Sequence, residues 1–182
     1  MTKKFIWPLV SILPLSAIYA PAVQAIQYLT VEQLQLSTFP AADLFEPFEL
    51  ELSDTQREEI ESRSDSSLGR AKPRIWRAQK GGELLGYLVV DDVLGKHDYI
   101  TFGFSLRLDG SIGELEILEY REAKGQEVVR QEWRSQFNQA SLSGGMELDN
   151  PIQNISGATL SCKHIIDRVR AWLNLYQLVL KR

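Results

Sequence analysis

The sequence predicts an α+β fold, an antiparallel sheet flanked by helices, on three observations. Between Arg74 and Tyr120, four runs rich in β-branched and aromatic residues (75–78, 84–90, 100–108 and 112–120) are punctuated by Gly81-Gly82 and Asp109-Gly110, pairs that suit tight hairpin turns. From Cys162 to Leu180, apolar residues at Ile165, Ile166, Val169, Trp172, Leu173, Tyr176 and Leu180 recur every three or four positions, the period of one buried helix face. Strand and helix patterns do not alternate as a doubly wound parallel fold requires, so the strands are expected to pair antiparallel with helices around them.

Taken in order, the chain starts like a secretory leader. Lys3-Lys4 precede an apolar run from Phe5 to Ala20, and Val23-Gln24-Ala25 has the small-x-small form of a cleavage site. Residues 1–25 are therefore read as a signal peptide, with the mature protein exported to the periplasm or the outer face of the cytoplasmic membrane. An uncleaved anchor is the rival reading, but Pro8 and Pro14 break the run and it falls short of the ~20 residues a spanning helix needs. Residues 26–73 form an N-terminal arm and helix packed on the domain. The stretch 26–52 has no clean period, whereas Ser53-Asp54-Thr55-Gln56 has capping-box spacing and opens an acidic, mostly solvated helix to about Arg63. Ser64 to Pro73 reads as a loop, with Gly69 in it.

Residues 74–182 make the main domain. In its clearest hairpin, Phe104, Leu106 and Leu108 alternate with Ser105 and Arg107 before Asp109-Gly110, as expected of a sheet wet on one side. A short helix is expected over Gln131–Gln139, with Trp133 and Phe137 four apart on its buried side. Ser143-Gly144-Gly145 is a flexible connector. Trp76, Trp133, Trp172 and Tyr87 sit at strand or helix spacing and are read as core.

Composition narrows the chemistry. With 44% hydrophobic residues, the 182-residue chain can bury one ordinary core. The net charge of −4 becomes more negative once a leader with two lysines and no acids is removed, and the bases are interleaved with acids. Nucleic acid is thus not an expected partner. Cys162 is the only cysteine, which excludes an internal disulfide, a C-x-x-C pair and a C-x-x-C-H haem site. It is read as a small buried residue. A zinc site from His97, His164 and one cysteine is equally hard to build, and no catalytic or metal-ligating set is assigned. Adjacent carboxylates such as Asp91-Asp92 are read as solvated.

The segment Asn154-Ile155-Ser156-Gly157-Ala158-Thr159-Leu160-Ser161 runs directly into the C-terminal helix. Small residues permit close approach of a ligand, and the unpaired amides and positive dipole end of a helix start favour an anion such as phosphate. On these residues alone, a Ser-rich cap with a glycine turn is the favoured reading, because short Gly/Ser motifs recur by chance. A binding module for some other anionic ligand and a hydrolase with Ser156 or Thr159 as nucleophile are further readings. The hydrolase lacks G-x-S-x-G.

Ser156-Gly157-Ala158-Thr159, followed by Leu160-Ser161, resembles the S-G-A-T-x-[ST] signature of the FMN-binding-domain family. That family includes the flavin subunits of the sodium-translocating NADH:quinone reductase and its ferredoxin-linked relative, and small exported flavoproteins. The resemblance implies the flavin-subunit type of α+β domain and FMN as cofactor, held by a phosphoester on Thr159 that a dedicated flavin transferase installs. The Asp usual six residues before the Thr is Gln153 here. Gly95-Lys96-His97-Asp98-Tyr99-Ile100-Thr101 is similar to the G-K-H-x-x-I-T stretch of the exported members, which implies that Lys96 and His97 place cations near the flavin. The segment from Glu119 to Gly125 is similar to the E-T-x-G-L-G loop beside the ring. It keeps Gly125 and carries Ala123 for the Thr and Gln126-Glu127 for the Leu-Gly. The implied cofactor-binding set is Ser156, Gly157, Ala158, Thr159, Leu160, Ser161, Lys96, His97, Glu122 and Gly125. The resemblance further implies an electron-transfer flavoprotein rather than a stand-alone enzyme, working with redox partner proteins at the membrane.

Overall fold

The computed structural model describes residues 25–64, 66–68, 73–122, 124–144, 146–148 and 151–181, without the side chains of 147 and 148. The expected leader, apart from Ala25, lies outside these residues, as do Asp65, Gly69, Ala123, Gly145, Asp149 and Arg182. In chain order the elements begin with β1 (Ile26–Gln27), α1 (Val31–Thr38), β2 (Leu44–Pro47) and α2 (Asp54–Ser64). Four longer strands follow: β3 (Arg74–Lys80), β4 (Glu83–Leu94), β5 (Tyr99–Arg107) and β6 (Ile112–Tyr120). Next come the short α3 (Gln131–Arg134), β7 (Glu147–Leu148), β8 (Pro151–Ile152) and the long α4 (Thr159–Leu175), which continues as a π turn over Tyr176–Leu180.

The expected antiparallel sheet flanked by helices is present. It has six strands in the order β1-β6-β5-β4-β3-β2, every neighbouring pair antiparallel. The turn at Gly81-Gly82 joins β3 to β4, with Lys80 facing Glu83. At Asp109-Gly110 the Asp109 carboxylate accepts from Ser111 Oγ (2.7 Å) and from Ser111 N (2.8 Å). Those bonds, the hydroxyl's foremost, hold the carboxyl below its ordinary range. The turn gains from them above the ordinary carboxylate pKa and loses the gain as pH falls through the depressed value.

The stretch 26–52, expected to be aperiodic, supplies both edge strands. Ile26 pairs with Tyr120 at one edge and Pro47 with Trp76 at the other. Strands of two and four residues are too short to show a period. Between them α1 opens on a full capping box, in which Gln33 N donates to Thr30 Oγ1 and Thr30 N to Gln33 Oε1. The capping box expected at Ser53 and Gln56 also forms.

The expectation of a face open to water is corrected. On β5, Phe102, Phe104 and Leu106 are fully buried on one face, yet Thr101 and Ser105 on the other are buried too. The reason is α1, whose Leu34 packs with Leu88, Val90 and Leu118 into a second, smaller core. Leu108, expected in line with Phe104 and Leu106, lies beyond the strand and is exposed, its carbonyl accepting from the Tyr176 hydroxyl.

The larger core lies between the sheet and α4. Trp172 meets Phe104 edge to face at 6.2 Å, and Trp133 meets Phe137 likewise at 5.0 Å. Within this core Asp91 of β4, 2% exposed, accepts from Arg168 Nη1 at 3.0 and 3.2 Å and from Trp172 Nε1 at 2.9 Å. Asp91 is therefore not the solvated carboxylate expected from its neighbour Asp92. It ties the middle of α4 to the sheet.

Candidate functional site

The long helix starts at Thr159, three residues before the expected Cys162, and so takes in part of the small-residue motif. Gly157 turns the chain left-handed (φ 88°), a conformation open to glycine at little steric cost. Ala158 then takes the N-cap position, and no side chain caps the helix. The first intrahelical bond runs from Cys162 N to Ala158 O (2.9 Å), so the amides of Thr159, Leu160 and Ser161 precede the ladder. A helix start with amides ahead of its ladder and no capping side chain attracts an anion. Ser156, Gly157, Thr159 and Leu160 are exposed, whereas Ala158 and Ser161 are buried.

The approach to the motif is held by α3 and the 3-10 turn that follows it, Ser135–Phe137. Trp133 Nε1 donates to Gln153 O (2.9 Å), and Gln153 N donates to Gln136 Oε1 (2.8 Å). With the sheet on one side and this clamp on the other, the turn at 155–158 has defined ends.

Two loops converge on it. After β6, Gly125 adopts φ 87° and lies so near Ala158 that a Cβ there would be 3.0 Å from the Ala158 Cβ and 2.8 Å from Tyr120 Oη. Tyr120 Oη donates to Lys124 O (2.7 Å). Burial pushes the Tyr120 phenol above its ordinary range, opposed by a hydrogen bond with the Ser161 side chain and reinforced by the Glu122 and Glu127 charges. Ser161 is thus buried beside Tyr120.

The second loop is Gly95–Asp98, between β4 and β5. Glu122, only 6% exposed, accepts from His97 N (2.5 Å) and Asp98 N (3.1 Å). On its other side, His164 Nδ1 donates to Leu94 O (2.5 Å); a carbonyl can only accept, so that nitrogen carries the proton. The Lys96 and His97 side chains are exposed. The structure thus brings all three motif stretches to one rim. At this rim the Glu122 carboxylate binds loop amides.

Tyr120 and His164 were not in the expected set, though they join its parts. Their bonds cross 4 and 70 residues, and no local pattern marks the longer one. Among the described residues no group of His, Cys, Asp and Glu is placed to hold a metal ion.

Replacing Glu122 tests the rim. Glu122→Ala leaves the His97 and Asp98 amides without their acceptor, and charge-assisted bonds are worth ~1.5–3 kcal/mol each. Hydrogen exchange at those two amides should accelerate by about tenfold or more, with strand β5 still protected. Unchanged exchange would mean that the carboxylate does not hold the loop.

Residues 95–174 match a family described as FMN-binding domain. The match covers this part of the chain, and FMN is the cofactor it supports. Among solved structures, NqrC of Shewanella oneidensis matches 84% of this chain and 79% of its own, at 14% identity and a TM-score of 0.46. No match was found among curated proteins.

Proposed function

We propose that this chain is an exported flavoprotein that carries one FMN at the start of α4, joined to Thr159 by a phosphoester, and works in electron transfer outside the cytoplasm. The observation that carries this reading is the position of Thr159. Within the segment that matches the FMN-binding domain, it is an exposed hydroxyl on the first residue of an uncapped helix. The amides of Thr159, Leu160 and Ser161 would hold the phosphate, and the helix dipole would favour its charge. Exposed Leu94, Tyr99 and Leu160, the first two paired across β4 and β5, would offer apolar surface to the ring. When bound, FMN supplies the redox chemistry, and the protein supplies position and electrostatics.

Attachment requires the Thr159 oxygen to bond to phosphorus with loss of its proton, and the flavin donor to give up a phosphate leaving group. A phosphoanhydride of the flavin, used by a flavin transferase, meets that balance. Ser161 is a poor alternative acceptor because its hydroxyl is buried against Tyr120. The Lys3-Lys4 start, the apolar run and Val23-Gln24-Ala25 support export, and the redox partners would then be proteins that meet it outside the cytoplasm. Covalent linkage suits that setting, where a lost FMN cannot be replaced from the cytoplasmic pool.

The test is the absorbance spectrum of the protein purified from its native compartment, followed by denaturation. Flavin bands are expected in the folded protein and should stay with the polypeptide after denaturation. A colourless folded protein that does not take up added FMN would overturn the reading in favour of a site for another anion.

A further inference from the structure

A cavity lies away from the proposed flavin site. It has a volume of about 440 Å³ and opens between the segment after β2, the first turn of α2, the start of β3 and the C-terminal half of α4. Trp172, on its wall, is thirteen residues beyond Thr159, roughly 20 Å along the helix at ~1.5 Å per residue. The cavity therefore belongs to a different end of the molecule.

Its walls are apolar: Phe48, Leu52, Leu68, Ile75 and Trp172 line it. They are also tied in place. Trp172 Nε1 donates to Asp91, Arg168 Nη1 donates to Leu68 O, and Phe48 N donates to Ile75 O. Arg77 lies 4.2 Å over the Phe48 ring. A cavity braced on several sides is preformed, which spares a ligand the cost of ordering it, and its volume falls in the ~300–1,000 Å³ range of small-ligand sites.

The lining also includes two exposed cations, Arg57 of α2 and Arg74 of β3, and one exposed anion, Glu49. Neither arginine makes an ion pair with a carboxylate among the described residues. This net positive charge stands out on a chain of net charge −4. We propose that the cavity is a binding site for a single-chain amphipathic anion, its apolar body against Phe48, Ile75 and Trp172 and its carboxylate or phosphate head on Arg57 and Arg74. The cavity is too small for a two-chain lipid to enter whole. An uncharged apolar ligand would leave the arginines without a role.

Dodecanoate, kept below its micelle concentration, is the probe, titrated into the full-length protein by calorimetry with tryptophan fluorescence as a second signal. One saturable site per chain is expected. Arg57→Gln with Arg74→Gln should weaken dodecanoate about tenfold or more while changing dodecanol binding little. Leu52→Trp, which fills the cavity, should abolish both. Circular dichroism checks the fold of each variant, and FMN uptake should be unaffected in the arginine pair. The proposal is overturned if dodecanoate does not saturate, if the arginine pair binds it as tightly as the parent, or if only phosphatidylglycerol vesicles bind.

Discussion

Asp91→Ala should destabilise this protein more than any other single truncation discussed here, by about 3–5 kcal/mol. The carboxylate is the sole ion-pair partner of Arg168 among the described residues, and both side chains are at least nine-tenths buried. With Asp91 gone the guanidinium would keep the Leu68 carbonyl, but its Nε already has no hydrogen-bond partner among the described residues. A buried cation would then lack compensation, and the Trp172 indole would lose its acceptor as well. Domains are stable by only ~5–15 kcal/mol, so the loss would be evident in guanidinium denaturation. Arg168→Ala in the same background should recover part of it, since the double variant buries no unpaired charge. A loss under about 1 kcal/mol for Asp91→Ala would contradict the view that this pair anchors α4.

Gly125→Val is the second large effect, and it acts on the site as well as on stability. A non-glycine residue at φ 87° costs ~1–2 kcal/mol, and overpacking a tight site adds ~1–3 kcal/mol. Neither contact can move aside easily. Tyr120 is 1% exposed with its hydroxyl engaged, and the other neighbour is Ala158 in the S-G-A-T turn. The strain therefore passes to the helix start. The melting temperature should fall and FMN affinity should drop by about tenfold or more, read by flavin fluorescence on the apoprotein. Gly144→Val is the control, because a Cβ there meets nothing within 4 Å. Equal effects from the two substitutions would deny Gly125 its place at the site.

What the sequence disclosed follows from how local each feature is. The hairpins at Gly81-Gly82 and Asp109-Gly110, the Ser53–Gln56 capping box and the period of α4 are written within a few residues of themselves. Thr30-x-x-Gln33 carries the same capping pattern, but its helix has only eight residues with Leu34 alone buried, so it has no apolar period. The edge strands were hidden because their partners lie far away: Ile26 is made a strand by Tyr120. At the site, resemblance marked the three stretches, whereas their assembly rests on Glu122 reaching His97 and Asp98 and on His164 reaching Leu94. Side-chain to backbone bonds across 24, 25 and 70 residues leave no periodic trace.

The most direct test of the Thr159 assignment is the denaturing gel. The parent chain and Thr159→Ala are each co-expressed with a flavin transferase and viewed by in-gel flavin fluorescence. The parent band should fluoresce and the variant band should be dark, while both apoproteins still take up FMN reversibly through the helix amides. Fluorescence that survives in Thr159→Ala, or a dark parent band beside one from a Gln153→Asp variant that fluoresces, would contradict a phosphoester at Thr159 in the chain as it stands.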